Sequence, residues 1–294
     1  MGSAAEIAIG GVAATAMSGE AGTGRRLNGY LLVGGIMIAV LVLVTVAAPL
    51  LRLPDPNALD PIHSLRPLGA PGHPLGTDQL GRDLLSRLVY GGRITLLAGV
   101  VASVISTAAG VALGVIAGYF SKWTDAVVMR LLDVLLSFPF ILLAILIVAF
   151  FGPSTFNALI AIAIANLPFF ARIVRSEALK LREQQFILAA EALGASHFRT
   201  LFRHILPNLL PLVFSTFFLN VGWMISQTSA LSFLGLGTQP PTADWGSMLA
   251  EAQSFMDILP NVAMLPGLMI AITVVGFNIL GLGLKAYLLR GTAA

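Results

Sequence analysis

The chain is predicted to be all-α and to cross a membrane six times, and three observations lead there. Of its 294 residues 57% are hydrophobic and 11% charged, with a mean hydropathy of +0.89, a balance foreign to soluble domains. The apolar residues gather into six runs, each long enough at a rise of about 1.5 Å per residue to cross hydrocarbon. The Lys and Arg residues fall mostly in short segments beside those runs, where they set orientation rather than bind nucleic acid, despite a pI of 9.6.

Residues 1–28 are expected to be a cytoplasmic tail, and residues 29–294 a transmembrane domain. The tail contains Gly19-Glu-Ala-Gly-Thr-Gly24-Arg25-Arg26, which has the glycine spacing of a phosphate-binding loop. Arg replaces both the Lys and the hydroxyl residue such a loop needs, and no strand precedes it, so Arg25 and Arg26 read as interfacial anchors. Tyr30–Leu51 is the first run, too long and too far from the start for a cleaved signal peptide. Five more follow near 95–118, 126–151, 156–175, 209–231 and 261–284. With the N-terminus inside, twelve basic residues lie on the inner side, among them Lys122, Arg130, Arg172, Arg175 and Arg290. Five, Arg52, Arg66, Arg82, Arg87 and Arg93, lie outside. Both termini are therefore expected in the cytoplasm.

Between the first two runs, Pro and Gly mark irregular backbone up to about Thr77. Asp78/Arg82 and Asp83/Arg87 are then expected as i, i+4 pairs on a short helix, with Leu80, Leu84 and Leu88 forming its stripe. In the second run Gly99, Gly110, Gly114 and Gly118 are spaced for close helix approach. Arg130 and Asp133, one turn apart in the third, are expected to pair, with Ser137-Phe-Pro139 following. Asn166-Leu-Pro168 predicts a kink in the fourth. The fifth carries Ser226, Gln227, Thr228 and Ser229, a polar strip that is a candidate lining for a solute path. After it comes Ser232–Leu249, rich in Gly and Pro, with Trp245.

The most informative stretch is Ser176–Asn208, a basic island between apolar runs. Phe186, Ala189, Ala190 and Leu193 share one helical face, and Phe198, Leu201, Phe202 and Ile205 repeat the spacing. Gly194 suits a helix end that needs positive φ, Ser196 a cap for the next helix, and Pro207 is expected to stop that helix. The prediction is two short helices around a sharp turn; an amphipathic hairpin on lipid headgroups would show the same stripes.

The spacing of Ala189, Ala190, Gly194, Leu206 and Pro207 resembles the EAA loop of ABC-importer permeases, with Leu188 in place of that motif's Glu and His204 in place of an apolar residue. The segment holding Asp78, Gly81, Arg82, Asp83, Ser86 and Arg93, and the segment Ser232–Leu249, are similar to signatures of the C-type permease of dipeptide and oligopeptide importers. In related permeases an acid often stands where Thr228 does. The resemblance covers nearly everything after residue 28 and implies the six-helix type I importer permease fold in the bacterial cytoplasmic membrane. It further implies that Phe186, Ala189, Ala190, Glu191, Leu193, Gly194, Leu206 and Pro207 couple the chain to ATPase subunits, and that Asp78, Arg82, Asp83, Gln227, Thr228 and Trp245 belong to an outer lid or the path. The implied partners are a second, B-type permease subunit, one or two ATPases that hold the ATP and Mg²⁺, and an extracytoplasmic binding protein. No cofactor is implied in this chain.

No enzyme constellation competes. His63, His73, His197 and His204 lie in loops without HExxH spacing, and no GxSxG elbow occurs. With no Cys there is neither a disulfide nor a thiolate metal site. Within the family the alternative cargo is nickel or another small solute. From another class, the alternative is an ion-driven carrier, which would be expected to place unpaired acids near the midplane.

Overall fold

The computed structural model describes residues 23–120 and 122–288, with side chains described from Gly29 onward. Residues 1–22 of the expected tail, with the first part of the glycine-rich loop, the Arg25 and Arg26 side chains and Arg290 lie outside the described residues.

Helix α1 (Thr23–Val46) begins inside the stretch expected as a tail and ends before Pro49, which has no N–H to continue it. It runs along the outside of the bundle, close to α10 (Asn261–Leu288), where a side chain at Gly34 would collide with the Leu280 backbone. The centre is α2 (Leu84–Phe120), flanked by α5 (Thr155–Arg182) and α8 (Leu206–Phe233). The glycine spacing in α2 does what it predicted: a Cβ at Gly114 would lie 2.6 Å from the Ala171 carbonyl oxygen, and Gly110 and Gly118 are equally tight against α5. Three buried clusters run the length of this bundle. One lies at the end with Trp245, one in the middle around Ile162 and Met224, and one at the far end around Tyr119, Val174 and Ile187.

Two expectations about helix ends are corrected. The third run is not one straight span. It divides into α3 (Trp123–Leu136) and α4 (Phe140–Phe151), bent by 86° at the intervening residues. Pro139, at φ −55° and ψ 132°, leaves the helical region, and its ring disfavours helical backbone at Phe138. Among the described residues, five helices are long and apolar enough to cross a membrane, or six if the bent pair is one span.

The second correction is Pro207, which does not stop its helix. The island's first half is α6 (Gln185–Ala192), but its second, α7 (His197–Thr200), continues through a π-helical turn (Leu201–Ile205) into α8 without a break. The Leu206 N–H reaches back five residues to the Leu201 carbonyl, and this wider winding opens space for the proline ring that an α-turn would deny it. The Asn208 side chain donates to the His204 carbonyl at 2.6 Å, satisfying one acceptor near the disturbance. Likewise Ser176–Arg182 belongs to α5. The island is therefore one free-standing short helix held between the extensions of two long ones.

Candidate coupling face and transmembrane groove

Helix α6 has two unlike sides. Ile187 is fully buried, and Glu191, one turn on, lies on the same side and accepts a hydrogen bond from Tyr119 at 3.1 Å. On the opposite side Phe186, Ala189 and Leu193 are exposed, Leu193 by 89%. Ala190 sits at the border, partly covered. Of the residues expected to couple, Glu191 is exposed but bonds Tyr119 on the Ile187 side of the helix, away from Phe186 and Leu193. Leu206 is partly buried and Pro207 exposed, both on the long helix.

The corner beyond α6 is local chemistry. Gly194 has φ +83°. The Ala195 N–H bonds the Ala190 carbonyl at 3.0 Å, and the Gly194 N–H bonds the Glu191 carbonyl at 2.9 Å, the paired closure that a left-handed residue after a helix permits. Ser196 then caps α7, its hydroxyl accepting from the Arg199 N–H. The second stripe does not survive as one face, because the π turn changes the winding. Ile205 is fully buried, while Phe198 and Phe202 are exposed with their rings 4.4 Å apart.

Between α3, α4, α5 and α8 lies a mostly apolar groove of about 650 Å³, lined by Phe140, Phe169, Trp223 and others, with Asn166 and Asn220 in its wall. These two amides are buried and joined at 3.0 Å, and Asn220 also donates to Ser103 at 3.2 Å. Asn166 was legible only as part of a kink signal; α5 passes Pro168 as one helix. The buried amides explain what else that stretch does, since polar groups so placed must find partners. Arg172 lines the same groove and pairs with Asp133 at 2.6 Å. This corrects the expected Arg130–Asp133 pair: among the described residues Arg130 makes no ion pair, and Asp133 reaches across to α5 instead of along its own helix. The Arg172–Asp133 pair is half-exposed, so it adds little stability. Arg175 pairs in the same way with Asp125.

At the other end of the bundle, residues 47–83 form an irregular cap, and the helix expected from about Asp78 begins only at Leu84, as the first turn of α2. Leu84 and Leu88 are buried, but Leu80, outside the helix, is 43% exposed. Asp78 does pair with Arg82, at 2.6 Å, as a turn rather than a helix pair. Its carboxylate also accepts from the Leu80 and Arg82 N–H groups at 2.8 and 3.0 Å. Asp83 does not pair with Arg87. It receives the Ser86 N–H at 2.7 Å as the cap of α2 and holds His73 at 2.9 Å, and Arg87 turns to Glu251 at 2.9 Å. Arg82 bonds the same Glu251 oxygen. Glu251, which binds both buried arginines, was not singled out from the sequence; it lies 169 residues from Arg82. On the exposed rim, the hydrogen bond from His63 holds the Asp60 carboxyl below its usual pKa.

Glu251 lies on α9 (Trp245–Ala252), the helical part of the Gly- and Pro-rich segment. Trp245 is fully buried, its indole N–H donating to the Leu88 carbonyl at 2.8 Å, so it fills the core rather than lining an opening. Asp244 caps α9 and also accepts from Ser232 at 2.9 Å. In the polar strip, Thr228 is buried and its hydroxyl bonds back to the Met224 carbonyl at 2.9 Å, while Gln227 is half-buried. The strip therefore contributes less to an open lining than its composition suggests.

Residues 110–293 match the family model described as the binding-protein-dependent transport system inner membrane component. The chain is 44% identical over 260 residues to the dipeptide transport system permease protein DppC of Alkalihalophilus pseudofirmus, covering 88% of this chain and 85% of that protein. It is 46% identical over 213 residues to the glutathione transport system permease protein GsiD of Pectobacterium atrosepticum, covering 72% and 71%. Among solved structures, a chain of the methionine ABC transporter MetNI, in an inward-facing crystal form, superposes with a TM-score of 0.59 over 70% of this chain and 97% of that one. At 18% identity that likeness concerns the fold alone.

Proposed function

The chain belongs to the binding-protein-dependent transport system inner membrane components and is an ABC-importer permease subunit, and from that premise we propose that it is the C-type half of a peptide importer in the bacterial cytoplasmic membrane. The observation that carries the coupling part of this reading is the outward side of α6, whose exposed Phe186, Ala189 and Leu193 end on the Gly194 corner. Small residues at the centre of such a face let a helix enter a groove closely, and the ATPase subunit is the partner that would supply the groove. ATP and Mg²⁺ belong to that partner. Both termini and α6 lie in the cytoplasm, as the basic residues favour.

The groove bearing Asn166 and Asn220 is this chain's share of the path, completed by a B-type subunit, with solute delivered from outside by a binding protein. Neutral amides suit a peptide's own amides without holding it through full charges. The cap at residues 47–83 and α9 form the outer end. The kinship with a dipeptide permease and a glutathione permease supports a peptide-type cargo.

Proteoliposomes containing the permease pair, the ATPases and the binding protein test the cargo. A labelled dipeptide is expected to accumulate with ATP, and excess unlabelled dipeptide to compete with it. Accumulation of nickel ions under these conditions, with no uptake of di- or tripeptides, would overturn the peptide assignment in favour of a small-solute importer.

A further inference from the structure

The inward side of α6 shows how movement of that helix can reach the spans. Tyr119 sits in the last turn of α2, 4% exposed. Its hydroxyl donates to Glu191 Oε1 on α6 at 3.1 Å and lies 2.8 Å from His197 Nδ1, the first residue of α7. A phenol has one proton to give, so when it goes to the carboxylate, the histidine Nδ1–H supplies the other bond. The His197 ring is also set edge-on to Tyr119 and Phe120, at 5.6 and 6.0 Å. One hydroxyl at the end of α2 thus touches an exposed carboxylate of α6 and the start of the continuous helix that becomes α8.

We propose that Tyr119 is the positioning residue that ties α6 to both α2 and α8, so that a displacement of α6 moves the spans instead of letting the short helix turn in place. This rests on the coupling role proposed for α6. The other inward anchor, Ile187, packs among Val115, Val174, Ile205 and Leu209. Apolar packing is non-directional and permits sliding or rotation about the helix axis. A hydrogen bond to a carboxylate is directional and resists both. Ile187 keeps α6 attached; the Tyr119–Glu191 bond fixes its angle.

The test is made on the complete importer in proteoliposomes, reading ATP hydrolysed per solute transported, together with retention of the ATPases on purification. Tyr119→Phe removes the hydroxyl and keeps the ring. It is expected to leave the ATPases bound and to raise the ATP consumed per solute about tenfold, the order expected for loss of a hydrogen bond to a charged group. Glu191→Ala should do the same from the exposed side of the bond, where folding is not at risk. Glu191→Gln, which keeps an acceptor oxygen, should restore most of the coupling. The double variant Tyr119→Phe/Glu191→Ala should be no worse than Tyr119→Phe alone, since that change already removes the bond lost in Glu191→Ala. A wild-type ratio in Tyr119→Phe or Glu191→Ala, or additive losses in the double variant, would overturn the tie. A loss of stability at an unchanged ratio would also overturn it, by assigning the bond a structural role only. An Ala190→Arg variant run beside them separates the two ideas: if it transports normally, the coupling role of α6 fails; if it does not, and Tyr119→Phe is silent, only the tie fails.

Discussion

Ala190→Arg is expected to abolish uptake while leaving the chain inserted and folded, because the change touches no spanning segment and lies at the border of the outward side of α6. A long charged side chain there would stand between the helix and any close partner, so the ATPases should be recovered in reduced amount on co-purification. Gly194→Val is expected to fail differently. Nothing lies within 4 Å of a Cβ built at Gly194, so the substitution meets no steric obstacle. Its cost is the left-handed backbone at φ +83°, roughly 1–2 kcal/mol for a residue with a Cβ, and the corner would open to relieve it. ATPases should remain bound to this variant while transport falls about tenfold relative to hydrolysis. Wild-type uptake by both variants, with ATPases bound, would remove α6 from the mechanism.

Glu251→Ala is expected to be strongly destabilising in the outer half. Arg82 and Arg87 are 3% and 1% exposed, and without Glu251 they share Asp78 alone. Breaking a buried ion cluster from one side leaves a charge desolvated and uncompensated, which costs about 3–5 kcal/mol. The lower end applies here, since the Glu251 side chain is 22% exposed. Thermal unfolding of the purified complex should show it as a clearly lower midpoint. Asp133→Ala, which breaks a half-exposed pair, should change stability by less than about 1 kcal/mol. Equal effects of the two would mean that the outer cluster is not the clamp its geometry describes.

What the sequence revealed and what it hid divide along the range of the interactions. The long apolar helices were legible because hydropathy in a bilayer is a property of a continuous run. The Gly194 corner and the Ser196 cap were legible because their chemistry closes within a few residues. The Pro139 bend has its signal in Ser137-Phe-Pro139, inside an apolar run whose length alone suits a single span. Pro207 shows the opposite: a proline argues for a stop only if the turn before it stays α-helical, and here it widens. The ion pairs show the deepest limit. Asp133 had a cation one turn away in Arg130 and another 39 residues on in Arg172, and only the packing of α3 beside α5 chooses between them. Glu251 carried no local mark at all. Its importance comes from two arginines brought to it by the fold. The same holds for Asn166 and Asn220, whose pairing across α5 and α8 turns a kink signal into the polar part of a groove wall.

The measurement that bears most directly on the account is site-specific cross-linking from α6 in the assembled importer. The chain has no cysteine of its own, so Phe186→Cys, Leu193→Cys and Trp123→Cys can each carry a single short photoreactive probe. Phe186 and Leu193 are exposed on the outward side of α6, whereas Trp123, 82% exposed, begins α3. Probes at Phe186 and Leu193 are expected to join the ATPase subunit, and the probe at Trp123 is not. Probes at 186 and 193 that react only with lipid or water, in a complex where the ATPases are demonstrably bound, would contradict it.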